Sequence, residues 1–163
     1  MLNAQLGLYE DAEALLREAV RKDEGDPRNS IALARYLLSR GLDDEALVLA
    51  KRARQRLAPS HGADLRFEVF SVLARAALAT ADMRLASRTV DEASVVAPAE
   101  ALLLMRGAAF LASGKVDEAR AAFVSASASL PLDAGASIGA GLCAFRAKSY
   151  DDAMRAFQQA EAR

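Results

Sequence analysis

Tryptophan is missing from this chain, histidine and cysteine occur once each, and aromatic residues make up only 6% of it. With His61 and Cys143 standing alone, the commonest acid–base and thiol agents of catalysis are nearly gone. Neither can build a metal cluster by itself. No Gly-rich phosphate loop and no Ser/His/Asp constellation is present. No cofactor and no metal are therefore expected, and an enzyme is rejected. A single cysteine cannot close an internal disulfide and sets no redox compartment. A basic surplus is lacking too: 21 Lys and Arg face 22 Asp and Glu, for a net charge of −1. Nothing in that balance attracts nucleic acid or an anionic membrane. No stretch approaches the roughly 20 apolar residues of a membrane-spanning helix. Met1-Leu2-Asn3-Ala4 does not show the basic-then-apolar start of a secretory signal, which makes the cytoplasm the default expectation.

What is abundant is alanine, within an apolar content of 53%. Such a chain reads as helical. It is also periodic. Five segments align: Tyr9 to Ala12, Leu42 to Ala46, Asp82 to Ala86, Val116 to Ala119 and Tyr150 to Ala153. Their closing alanines are separated by 34, 40, 33 and 34 residues. Seven residues after each comes another alanine: Ala19, Ala53, Ala93, Ala126 and Ala160. Two helical turns separate each pair, so both members share a face. Between them on that face stands Leu16, Ala50, Val90, Phe123 or Phe157. Twelve residues before the first alanine is another small residue, Ala34, Ala74, Gly107 or Gly141. Antiparallel helices approach to about 8–10 Å only where the crossing side chains are short. The small residues mark the crossings, and the larger one fills the space between neighbouring hairpins.

Punctuation agrees with the spacing. Gly7, Gly41 and Gly114 fall at the expected turn within a hairpin. Acidic residues follow at once (Glu10 and Asp11, Asp43 to Glu45, Asp117 and Glu118, Asp151 and Asp152), facing the positive end of the next helix dipole. Pro27, Pro59, Pro98 and Pro131 all stand between repeats, where helices stop or start. Helices are predicted over 10–23, 28–39, 43–57, 65–80, 83–96, 100–113, 117–129, 134–147 and 151–162. The repeats run over 1–26 (partial), 27–66, 67–99, 100–133 and 134–163, within one domain.

This pattern resembles the tetratricopeptide repeat family over essentially the whole chain. The fourth unit carries Gly107, Phe110, Gly114, Ala119, Phe123, Ala126 and Pro131 in the family's order. The fifth follows through Gly141, Tyr150, Ala153, Phe157 and Ala160. The third departs most, with Ala81 at the turn glycine and Arg84 where the acidic pair belongs; the family's usual Trp is absent throughout. The resemblance implies an all-α fold, a right-handed α-solenoid of antiparallel helix hairpins. The 40-residue interval, which holds Pro59-Ser60-His61-Gly62, is either a long-hairpin unit with its second helix drawn out through Arg56 or a loop insertion. His61 is expected in solvent, and Cys143 is expected to act as a small buried hydrophobe.

In the family the first helix of each hairpin lines a concave face that holds another polypeptide. Carried over by residue, that face presents Arg28, Ile31, Arg35 and Leu38, then Glu68, Ser71, Arg75 and Leu78. It continues with Ala101, Leu104, Ala108 and Leu111, and with Ile138, Leu142, Phe145 and Arg146. Each set lies on one helical stripe. A two-toned groove is expected, basic around Arg28, Arg35 and Arg75, and apolar around Leu104, Leu111, Ile138, Leu142 and Phe145. It suits a polypeptide partner with acidic residues at one end and apolar anchors at the other, as an extended segment or an amphipathic helix. The carboxylate clamp of the family's co-chaperones is not present, because its places carry Ile31, Arg35, Ser71, Leu104 and Ala108. Both ends look cut, with Leu2, Leu6 and Phe157 leaving apolar surface, so self-association through uncapped ends is a further expectation. The alternatives to a protein-interaction scaffold are a chaperone-like holder of apolar secretion substrates and a sensor arm of a regulator or signalling enzyme.

Overall fold

The computed structural model of the chain describes residues 2–97, 99–131 and 133–162, with side chains from Asp11 onward. Among them are nine α-helices and no strand: α1 Leu2–Lys22, α2 Pro27–Ser39, α3 Asp43–Gln55, α4 Ala63–Ala79, α5 Met83–Ala93, α6 Ala99–Ala112, α7 Val116–Ser129, α8 Ala134–Arg146 and α9 Tyr150–Glu161. They gather into two compact units, one reaching Thr80 and the other starting at Ala81.

The first unit holds α1 to α4. Pro27 opens α2, and the Asp26 carboxylate caps it by accepting the Arg28 N–H. Asp43, Asp44 and Glu45 occupy the first turn of α3, where carboxylates stabilise the exposed amide ends. Ala46, Ala50 and Ala53 are fully buried, as is Ala34 across the crossing. α2 packs on α3, α3 on α4, and α4 also touches α2. The long interval resolves as a loop, from Arg56 to Gly62, and a lengthened α4 of 17 residues against 13 for α2. Of the two alternatives for the interval, a second helix drawn out through Arg56 is not the one taken: α3 stops at Gln55, with Arg56 as its cap. His61 closes the loop: its Nδ1 accepts the Ala58 N–H at 2.9 Å, and its own N–H donates to the Ala58 carbonyl at 3.0 Å. It is half-buried rather than free in solvent. Gly7 lies inside α1 and not at a turn.

The second unit holds α5 to α9. Ala86, Ala93, Ala119 and Ala126 are fully buried and Ala153 nearly so. α6 packs on α7, α7 on α8, α8 on α9, and α6 also touches α8. The third unit has Arg84 in place of the acidic pair, but α5 starts on another carboxylate. Asp82 itself is the cap, its carboxylate accepting the Leu85 N–H at 3.0 Å. The turns that follow α2, α4, α6 and α8 share one device. Gly41 and Gly114 take positive φ of 73° and 78°, and Ala81 and Lys148 are held at 58° and 60° in the same place. Pro59 and Pro131 fall between helices and Pro27 starts one, as expected; Pro98 and the side chains of Leu2 and Leu6 lie outside the described residues.

Candidate protein-binding surface

In the first unit the adjoining first helices are α2 and α4. Arg28 and Arg35 project from α2 and Arg75 from α4, all exposed, while Leu38 and Leu78 are half-buried. The Arg35 guanidinium pairs with Glu68 of α4 at 2.8 Å, and Arg28 lies 3.6 Å from the Asp26 carboxylate. A cleft of about 730 Å³ opens between these helices, lined by Arg28, Ala32, Arg35, Asp64, Leu65 and Glu68. Two acidic side chains thus face two arginines. The basic patch expected from the sequence is locally balanced, because Asp64 lies in the lengthened start of α4. Ile31 is 1% exposed. It is a core residue and presents no surface to a partner, since α4 lies along its helix.

In the second unit the pair is α6 and α8. Leu111 is 8% exposed and packs with Ala119, Phe123 and Cys143, with Leu104 resting partly buried on the same cluster. Leu111 therefore belongs to the core. Arg146 is tied back, its guanidinium donating to the Leu111 carbonyl at 2.9 Å. The open apolar surface is narrower than expected and lies on α8: Ile138, Leu142 and Phe145 are 45%, 43% and 57% exposed. Spacings of four and three place them on one stripe.

That stripe extends onto α9, where the sequence had marked Phe157, but not Tyr150 or Met154, as apolar surface. Phe145 meets Tyr150 edge to face, with centroids 5.7 Å apart, and Tyr150, Met154 and Phe157 are exposed as well. Cys143 is fully buried, and burial pushes its thiol up. A protonated thiol closed off from solvent is packing, not a nucleophile. No described helix is long and apolar enough to cross a membrane.

A family model described as tetratricopeptide repeat matches residues 2–61 and 104–163. The unmatched stretch between them holds the lengthened α4 and the Ala81 turn. No curated protein matches the chain. Among solved structures, TTC0263, a thermophilic tetratricopeptide protein of Thermus thermophilus, is 23% identical with a TM-score of 0.76, over 98% of this chain and 84% of that one. MamA from Desulfovibrio magneticus is 18% identical with a TM-score of 0.65, over 98% and 87%. YrrB, described as a tetratricopeptide protein with an unusual peptide-binding site, is 18% identical with a TM-score of 0.56, over 98% and 79%. Paired helix hairpins, buried small residues at their crossings and a matching family model over both units agree: the chain belongs to the tetratricopeptide repeat family.

Proposed function

We propose that the chain is a protein-interaction scaffold that holds a polypeptide segment against the first helices of its hairpins. One observation supports this most: Ile138, Leu142 and Phe145 form an exposed apolar stripe on α8. Contiguous apolar surface of that kind marks contact sites. On the first unit, taken by itself, the arginines of α2 and α4 offer charge to acidic residues of a polypeptide, Arg75 most directly because Arg35 is already paired with Glu68. The bound segment is an amphipathic helix or extended strand with apolar anchors spaced for the stripe. A solved relative with a described peptide-binding site agrees with this mode of action.

Peptides selected from a random displayed library against the full chain test the proposal. They are expected to carry two or more apolar anchors and to lose about ten-fold or more in affinity on Leu142→Glu. Leu142 is 43% exposed, so the variant should keep its helical circular dichroism. Selected peptides that bind wild type and Leu142→Glu alike would remove α8 from the binding surface.

A further inference from the structure

On the face made by α2 and α4, Arg28 and Arg35 stand beside carboxylates of their own unit. The unbalanced charge of the first unit lies elsewhere. A cleft of about 550 Å³ runs between α1 and α3. Val20 and Leu49, each 7% exposed, and Leu33 of α2, 2% exposed, give it an apolar floor. Val48 stands open beside them. Arg17 and Arg21 of α1 and Arg52 of α3 line the same cleft, and among the described residues Glu45 is its one carboxylate.

Glu45 is already taken. Arg17 donates to both of its oxygens, and to Glu13 at 2.8 Å. Glu18, on the next turn of α1, is held by Lys22 at 2.8 Å. Arg21 and Arg52 have no ion-pair or hydrogen-bond partner among the described residues. Arg21 is exposed, whereas Arg52 is half-buried. A guanidinium partly withdrawn from water beside apolar side chains is screened less than one on open surface, so it gains more from an incoming anion. Stacking of hairpins does not cover this cleft: α4 packs on α2 and α3, yet contributes nothing to its lining.

We infer that the α1–α3 cleft binds an acidic segment of a partner polypeptide, with carboxylates on Arg21 and Arg52 and an apolar side chain on Val48 and Leu49. Charge complementarity defines the occupant, because a guanidinium fork matches a carboxylate in two parallel hydrogen bonds. The apolar floor calls for a side chain that a phosphate backbone lacks, and the net charge of −1 gives nucleic acid no general attraction. This is a second contact surface, and none of its residues belongs to the groove proposed on the first helices.

The probe is a short fluorescein-labelled peptide of repeated Glu-Glu-Leu, titrated with the full chain and read by anisotropy. Saturable one-to-one binding is expected, weakening as salt is added. The Gln-Gln-Leu peptide should bind about ten-fold more weakly or worse. Arg21→Glu should cost about ten-fold or more and Arg52→Gln about five-fold or more, both at unchanged helical circular dichroism. Arg88→Glu, at an exposed place on α5, should stay within about two-fold of wild type. Absence of saturable binding, equal binding of the two peptides, or a loss on Arg75→Glu in place of Arg21→Glu overturns the inference. Displacement by an oligothymidylate more readily than by unlabelled peptide also overturns it and assigns the cleft to nucleic acid. So does a dimer of the chain alone, seen by sedimentation, that excludes the peptide and dissolves on Arg21→Glu, which would assign the cleft to a second copy.

Discussion

Phe123 lies in the space that side chains at Gly107 and Gly139 would need, so one ring joins two hairpins through two glycines. Packing this close makes each glycine a size limit. Gly107→Ala and Gly139→Ala are expected to destabilise by about 1–3 kcal/mol each through overpacking. Phe123→Ala should cost about 3–5 kcal/mol by leaving a cavity. Phe157→Ala should cost clearly less, because its ring is 38% exposed. Urea unfolding of the four variants checks the order. Equal losses at Phe123 and Phe157 would contradict the packing described.

Ala81 and Lys148 share their left-handed backbone with Gly41 and Gly114. A β-carbon in that conformation costs about 1 kcal/mol or more. Ala81→Gly and Lys148→Gly should therefore raise stability by up to about 1 kcal/mol, less the added freedom of the unfolded chain. Gly41→Ala and Gly114→Ala should lower it. Thermal denaturation reads the sign, and a loss on Ala81→Gly would show that its φ is not what limits the turn.

The Asp82 carboxylate meets the Leu85 N–H at 3.0 Å at the start of α5. Asp82→Ala should cost about 1 kcal/mol, and Asp82→Asn or Asp82→Ser should restore most of it. Amide exchange at Leu85 is the local readout: it should accelerate in the alanine variant alone.

Arg17 bridges α1 and α3, donating to both Glu45 oxygens at 2.5 and 2.9 Å. The guanidinium holds the Glu45 carboxyl below the usual glutamate range. A lowered folded value means a contribution that is full above that range and fades as pH falls through it. Both side chains are more than a third exposed, so solvent screening limits Arg17→Ala to well under about 1 kcal/mol. Glu45 should titrate by NMR nearer the ordinary range in that variant, and added salt should shrink the difference.

The sequence made the repeat legible because small residues at helix crossings, turn residues and prolines are local signals with fixed spacing. Ala46, Ala86, Ala119 and Ala153 mark it directly, and all are buried. The surface was harder. Ile31 and Leu111 lie on the same stripes as Arg35 and Leu104, and periodicity cannot tell which apolar member the next hairpin covers. The neutralising charge was hidden for another reason. Asp64 faces Arg28 and Arg35 only because the extra residues of the long interval lengthen α4, and the spacing alone left helix and loop open. Asp82 was passed over as a cap because the expected acidic pair comes two and three residues later in the other repeats.

The most direct measurement of the scaffold proposal is calorimetric titration of a library-selected peptide into wild type and Leu142→Glu at several temperatures. The proposal predicts one site, a negative heat-capacity change from apolar burial, and an affinity lower by about ten-fold or more in the variant. Unchanged affinity with an unchanged heat capacity in Leu142→Glu would contradict it.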